Sequence, residues 1–278
     1  MIDLHLHTTA SDGAFEPPDL ILKARAAGLS ILSLTDHDTI GGIAAAQDAG
    51  HSAGVEVIPG IEISAVADGR DVHVLGYFLD PSSPQLLAFL GRQRDDRLRR
   101  VSEIRQRLSL LGCPIDAEPI LAAAEGGKSV GRPQIADALV RAGHVRTRNE
   151  AFDRFLEFGG PAFVARRGIS PVDAVRLLHD AGGIASLAHP GLTGCDALIP
   201  PLAAAGLDAL EARHSDHDPQ TERKYRTLAA ELDLLVTGGS DFHGGTGHRT
   251  PALGSVTLGS VDFEKLRAAA ARRRAARA

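Results

Sequence analysis

Short apolar runs that end in a histidine or a carboxylate recur along this chain, and helical stretches separate most of them. Ile2, Leu4 and Leu6 alternate with Asp3, His5 and His7, the two-residue period of a β-strand. Residues two apart on a strand share a side, so His5 and His7 project together. Paired imidazoles suit a single transition-metal ion, whose bonds to nitrogen are about 2.0–2.1 Å. After a loop holding Asp12 and Gly13, Pro17 and Pro18 open a helix expected over 19–27. A strand over 31–34 ends in Thr35-Asp36-His37-Asp38, with Asp38 or Thr39 placed to cap the next helix. Strands over 55–63 and 72–77 follow, with Glu62 near the end of the first and His73 at the start of the second. This rhythm predicts an α/β fold with a parallel sheet or barrel. In such folds the C-terminal strand ends carry the site.

The rhythm stops near residue 81. A turn cluster, Pro81 to Pro84, leads into helical periodicity with no strand pattern from 85 to about 158. Val101, Ile104, Leu108 and Leu111 fall at helical spacing, and Gly112 and Pro114 end that run. Further helices are expected over 120–125, 133–142 and 151–158. Strand–helix units resume at Pro171 with a helix to 181, then a strand over 184–188 ended by His189-Pro190. A helix over 196–205 and a strand over 207–212 come next, followed by His214 and His217. A charged helix over 219–232 precedes a strand over 234–237 that runs into Gly238-Gly239-Ser240-Asp241-Phe242-His243. A last strand is expected over 253–258 and a terminal helix over 263–276. Arg267, Arg272, Arg273, Arg274 and Arg277 read there as a solvated face. The chain thus divides into a barrel, residues 1–80 with 166–278, and an all-helical insertion, residues 81–165.

Composition sets outer limits. No run of eighteen apolar residues is present, which argues against a membrane span. Asp3, His5 and His7 interrupt the first apolar run, so it does not read as a signal segment. Cys113 and Cys195 provide no disulfide framework, and a reducing cytoplasm is the simplest setting. A net charge of −5 argues against a broad basic surface for long duplex nucleic acid. It leaves room for a small phosphorylated substrate where metal ions make a site locally positive. No obligate protein partner is implied.

His5, His7, Asp12, Asp36, His37, Glu62, His73, His189, His214, Asp241 and His243 all fall at or just after expected strand ends. Each alone has an ordinary explanation as a cap, a turn residue or a hydrogen-bonded core histidine. Together they would bury charge, which is costly without a partner, and divalent metal ions are the natural partner. His51, His144, His179 and His248 fall outside this pattern and read as surface or packing residues.

The motifs Asp3-Leu4-His5-Leu6-His7, Thr35-Asp36-His37-Asp38, Gly60-Ile61-Glu62, His73, Ala188-His189-Pro190 and Gly239-Ser240-Asp241-Phe242-His243 resemble, in order, those of the polymerase and histidinol phosphatase (PHP) family. The resemblance implies a distorted (β/α)7 barrel with two or three divalent metal ions at its rim. The helical block is similar to the insertion of the subgroup that dephosphorylates nucleoside 3′,5′-bisphosphates, some of whose relatives trim short RNA from the 5′ end. Gly131-Arg132-Pro133 and Leu210-Glu211-Ala212-Arg213-His214-Ser215-Asp216-His217 carry that likeness. Gln134 departs from the pattern, which has His after the Arg-Pro pair.

Carried over position by position, the resemblance implies one metal on His5, His7, Glu62 and Asp241. A second would share Glu62 and take His73 and His189, and a third would take Asp12, His37 and His243. Mixed imidazole and carboxylate ligands suit Mn²⁺ first, with Fe²⁺ or Zn²⁺ as alternatives. Asp36 and Asp38 are expected to orient imidazoles, and Asp36 stands with His214 and Arg132 among the catalytic candidates. Arg132, Lys128, Arg166 and His214 are the candidate phosphate holders, because a planar guanidinium suits bidentate contacts and His214 could also protonate a leaving oxygen. The first functional expectation is a phosphatase that converts a nucleoside 3′,5′-bisphosphate to its 5′-monophosphate and inorganic phosphate. The alternatives are a 5′-to-3′ exoribonuclease on short 5′-phosphorylated RNA and a non-catalytic, metal-stabilised binding module.

Overall fold

The structure, a computed structural model, describes residues 1–244 and 251–276, so His248 and Arg277 lie outside the described residues. It begins β1 (Ile2–Leu6), α1 (Pro17–Ala26), β2 (Ile31–Leu34), α2 (Ile43–Ala53), β3 (Glu56–Ala67) and β4 (Arg70–Tyr77). Helices α3 (Pro84–Leu110), α4 (Glu118–Glu125), α5 (Arg132–Arg141) and α6 (Arg148–Ala151) follow, the last running into a π-helical turn over Phe152–Leu156. The chain then returns through α7 (Pro171–Asp180), β5 (Ile184–Leu187), α8 (Pro190–Thr193), α9 (Ile199–Ala204), β6 (Ala209–His214), α10 (Pro219–Glu231), β7 (Leu235–Gly239) and α11 (Ser260–Ala275).

The strands form one seven-stranded sheet in chain order, β1 to β7. Its ends meet through a bridge between Leu6 and Phe242, with the His7 amide donating to the Phe242 carbonyl at 3.0 Å. The sheet is thus a nearly closed barrel. Next to that seam Asp3 joins β1 to the end of β7, accepting from the Ser240 amide at 2.9 Å and the Ser240 hydroxyl at 2.6 Å. Gly239 permits the approach, since a Cβ there would lie 2.4 Å from the His5 amide nitrogen.

One expectation is corrected at β4. It pairs antiparallel with both β3 and β5, while the other pairs are parallel. The cause is local: Asp68 and Gly69 both have positive φ, 49° and 76°, the backbone of a tight Asp-Gly hairpin turn. A second correction concerns 253–258, which is not a strand. Gly254 turns there with φ of 78°, and one bond from the Leu258 amide to the Ile2 carbonyl, at 2.8 Å, ties the segment down. A third concerns α2, which starts at Ile43 and not beside Asp38 or Thr39. The Thr39 hydroxyl accepts from Gly41, and Asp38 faces arginines instead.

Alternation on the strands sorts two environments. Leu4 and Leu6 are fully buried in apolar clusters, while Asp3, His5 and His7 are equally buried but polar. His5 on β1 meets Glu211 on β6, and Ser186 on β5 meets Thr237 on β7, so these contacts reach across the interior between strands that are not neighbours. The barrel is therefore lined with polar side chains and insulated outside by helices.

The helical block has an apolar cluster of its own, spanning Val101 to Val164. Helix α3 bridges the two bodies: Leu86 and Phe89 pack on the barrel, and Val101, Ile104 and Leu108 pack in the block. On this ground we propose dividing the chain at 81 and 165. Among the described residues no helix is long and apolar enough to cross a membrane, and both cysteines are free.

Candidate metal centre and anion cavity

Glu62 on β3 is fully buried and gathers five imidazoles. Its Oε1 lies 2.7 Å from His73 Nδ1 and 3.1 Å from His189 Nε2. Its Oε2 lies 3.1 Å from His37 Nδ1 and 3.3 Å from both His5 Nε2 and His7 Nε2. Asp241 Oδ1, just past β7, approaches His7 Nε2 at 3.0 Å and His5 Nε2 at 3.3 Å. Asp12 completes the group, with His243 Nε2 at 3.3 Å, His7 Nδ1 at 3.8 Å and His37 Nε2 at 3.9 Å. The residues that the resemblance assigned to metal thus meet in one cluster.

These donors fit divalent cations. Among the described residues, the buried nitrogens His7 Nδ1, His7 Nε2, His37 Nδ1 and His73 Nδ1 have no hydrogen-bond partner, despite the nearby carboxylates. Groups that crowd together without aligning on one another are aimed at shared points between them. Among the described residues four donor sets have ligand atoms mutually within 4.8 Å: His5, His7, Glu62 and Asp241; His7, Asp12, His37 and His243; His37, Glu62 and His73; and His5, Glu211 and His214. The set around Asp12 gains His7. His73 groups with His37, while His189 reaches the same Glu62 oxygen from another side.

Further groups orient the imidazoles. His5 Nδ1–H donates to Glu211 Oε1 at 2.9 Å, which turns Nε2 toward the centre. Glu211 Oε2 accepts from the His189 amide at 2.8 Å. His243 Nδ1–H donates to the Asp241 carbonyl at 2.9 Å, leaving Nε2 to face Asp12. His214 differs: its Nδ1 accepts from the Asp216 amide at 3.1 Å, so its proton sits on Nε2, 3.4 Å from Asp241 Oδ2. This tautomer presents an N–H to Asp241, although His214 also groups with His5 and Glu211 as a donor set. Asp38, His189 and Asp241 have positive φ of 49°, 27° and 54°, strain of about 1–3 kcal/mol each that their surroundings hold in place.

Charge balance inside the cluster has a measurable consequence. Burial disfavours charge on His5 and His7, but the facing carboxylates outweigh it. They hold His5 well above the ordinary range and push His7 up to about 10. Burial likewise opposes ionisation of Glu62 and Asp241, and the imidazoles reverse that, holding both far below the carboxylate range. His5 and His7 are therefore protonated at neutral pH until a cation displaces those protons. Mn²⁺ binding to metal-free protein is expected to release protons, and affinity to weaken as pH falls from about 8 to about 6. Calorimetric titrations in two buffers of different ionisation enthalpy measure this. Binding without net proton release would contradict it.

Beside the centre lies a cavity of about 170 Å³, bounded by Asp12, His37 and His73 on one side and by Arg97, Arg100, Arg132 and Arg166 on the other. Asp38 Oδ2 accepts from Arg97 and, at 2.9 Å, from Arg166. Asp71 Oδ2 accepts from Arg132 at 2.8 Å. Arg100 bonds only the Val164 carbonyl, at 3.2 Å, and its buried Nη2 has no hydrogen-bond partner among the described residues. Burial, then the neighbouring Arg166, lowers Arg100 to about 9, so it stays charged at neutral pH. Asp38 and Asp71 do not balance the guanidiniums, and the surplus positive charge suits an anion.

Some expectations change here. The Asp36 oxygens accept from the Thr8 amide at 2.8 Å, the Thr8 hydroxyl at 2.7 Å and the Ser11 hydroxyl at 2.6 Å, so Asp36 positions the loop before Asp12 rather than facing the reaction centre. Asp38 holds arginines rather than an imidazole. Lys128 does not line the arginine cavity; its exposed ammonium pairs with Glu16 at 3.4 Å. Arg97 and Arg100 receive no role from the sequence, and Glu211 enters there only within the Leu210–His217 motif; here both arginines line the cavity and Glu211 accepts from His5. His217 bridges the Ala212 carbonyl and the Gly191 amide, as a packing histidine does.

Residues 3–128 match the PHP domain family. A 5′-3′ exoribonuclease of Haemophilus influenzae is 38% identical, over 87% of this chain and 89% of its own. A 3′,5′-nucleoside bisphosphate phosphatase of Chromobacterium violaceum is 34% identical, over 87% of each chain. A crystal structure of a protein of Bifidobacterium adolescentis, put forward as a metal-dependent phosphoesterase, superposes with a TM-score of 0.86 at 34% identity, covering 96% of this chain and 95% of that one.

Proposed function

We propose a substrate for this chain, which belongs to the PHP domain family and is a phosphoesterase: a nucleotide with phosphates at both its 5′ and 3′ positions, from which it removes the 3′-phosphate. The observation that carries the reading is the pairing of two anion sites. The metal donor cluster and the arginine cavity share Asp12, His37 and His73 as a common wall. A phosphate anchored among the arginines leaves a second one, a ribose away, over the donor cluster.

Lewis acidity and an activated water are what divalent cations in these donor sets would supply. The residues do the rest. Arg132 and Arg166, braced by Asp71 and Asp38, present fixed guanidinium forks to the anchored phosphate. Arg100 adds its Nη2, a donor with no hydrogen-bond partner among the described residues. Glu211 keeps His5 turned inward. His214 carries a proton on Nε2 toward Asp241, placed to stabilise charge on a phosphate oxygen or on the departing O3′. Water oxygen bonds to phosphorus, the bond from phosphorus to O3′ breaks, and O3′ leaves with a proton.

A second reading uses the same bond. In 5′-phosphorylated RNA, breaking the link between O3′ of the first nucleotide and phosphorus frees a 5′-mononucleotide and leaves a new 5′-phosphate. The 38% identity to an exoribonuclease favours it. The test is Mn²⁺-loaded protein on adenosine 3′,5′-bisphosphate, on AMP and on a 5′-phosphorylated tetraribonucleotide. Phosphate release from the bisphosphate with AMP accumulating is expected. Equal, slow turnover of bisphosphate and AMP would defeat the two-phosphate reading. Faster release of mononucleotides from the tetranucleotide would make RNA the preferred substrate.

A further inference from the structure

We propose that Gln134 is a positioning residue that ties the helical block to the loop carrying Asp12, and so sets how tightly Asp12, His37 and His243 hold a cation. Helix α5 begins at Arg132, and its N-cap, Gly131, has no side chain to cap it. Gln134 Oε1 accepts from the Gly131 amide at 2.8 Å. Its Nε2 donates to the Ser11 carbonyl at 2.9 Å, across 123 residues of sequence. Beside that bond the Ser129 amide donates to the Ala10 carbonyl at 2.7 Å. Two bonds from the block therefore grip consecutive residues of the loop just before Asp12.

The grip reaches the carboxylate. Ser11 Oγ lies 2.6 Å from Asp36 Oδ1 and 3.2 Å from Asp12 Oδ1, so displacing Ser11 displaces Asp12. This donor set is also open to solvent on one side. Its Asp12, His37 and His243 side chains are 12%, 17% and 33% exposed, against 0% for His5 and 1% for Glu62 deeper in the cluster. A cation there depends on how its loop is held.

Arg132 stands two residues before Gln134 on the same helical turn and lines the arginine cavity. An anion that fixes this turn would fix the loop as well, and cation and anion would each strengthen binding of the other. That last step rests on the nucleotide reading above; the role of Gln134 does not.

Two variants separate this role from plain structure. Gln134→Glu keeps the oxygen that caps Gly131, and an acid at this helix position is favourable. It has no donor for the Ser11 carbonyl. Gln134→His keeps one acceptor and one donor nitrogen. Mn²⁺ titrations followed by calorimetry are expected to show an unchanged Tm for Gln134→Glu with the weakest Mn²⁺ affinity lowered by about tenfold or more, and partial recovery in Gln134→His. Unchanged Mn²⁺ affinity in Gln134→Glu overturns the proposal. So does a loss that comes with a lowered Tm and is not recovered in Gln134→His. Adding AMP to the parent protein tests the other layer. If AMP fails to tighten Mn²⁺ while Gln134→Glu still weakens it, the role of Gln134 stands and the coupling between anion and cation is wrong, whereas the turnover comparison above tests the two-phosphate substrate itself.

Discussion

A Glu62→Gln protein is expected to hydrolyse adenosine 3′,5′-bisphosphate at least about a thousandfold more slowly than its parent, and to lose most of its Mn²⁺. The amide has nearly the same shape, so the effect isolates charge and donor type. Glu62 offers two oxygens to five imidazole nitrogens, all within 3.3 Å. An amide turns one of those oxygens into an N–H group pointing at nitrogens that must themselves face a cation. It also removes the negative charge shared by two of the four donor sets. The metal-free fold should tolerate the change, because His5 and His7 can shed the protons that Glu62 helped to hold. Activity at saturating Mn²⁺ and metal content by mass spectrometry measure the outcome. His51→Gln, at an exposed helix position outside the cluster, serves as control. Parent-like turnover in Glu62→Gln would remove Glu62 from the centre of the mechanism.

Several donors of this centre were legible because they obey a local rule, whereas Glu62 and His73, expected at strand ends, lie inside the longer hairpin strands β3 and β4. The strand period places His5 and His7 on one side, and the strand ends mark His37, His189 and Asp241. The rest depended on information that spacing does not hold. The direction of β4 turned on Asp68-Gly69, a hairpin signal overshadowed by the strand–helix rhythm on either side. In the charged stretch from Arg92 to Arg100, which charges are buried is decided by a neighbour distant in sequence. Arg97 is buried because Asp38 and the Val130 carbonyl meet it, and Arg100 because the Val164 carbonyl does. Asp36 and Asp38 sit two residues apart on the same segment, yet one holds the Thr8–Ser11 loop and the other holds arginines. Residue type and spacing alone do not separate those roles.

Arg100 gives the second large effect, and its sign differs between stability and function. The residue is 4% exposed, and its guanidinium pairs with no carboxylate among the described residues and lies near Arg97, Arg132 and Arg166. A buried charge in that position destabilises the fold, since burial and like charge both oppose it. Arg100→Met removes the charge while keeping an unbranched chain to fill the space, so unfolding free energy is expected to rise by about 1–3 kcal/mol. Binding should move the other way. A hydrogen bond to a charged group contributes about 1.5–3 kcal/mol, so KM for adenosine 3′,5′-bisphosphate should rise by roughly tenfold to a hundredfold. Adenosine 3′-monophosphate has no phosphate for the cavity, and its kcat/KM should stay within about twofold of the parent value. Thermal unfolding and steady-state kinetics on the two substrates read the three quantities separately. An equal loss on both substrates would place Arg100 at the reaction centre. No loss on either would mean that the arginine cavity holds something other than the second phosphate. A more stable protein that distinguishes the two nucleotides less well is the expected result, because a cavity built to attract an anion keeps its positive charges unbalanced until the anion arrives.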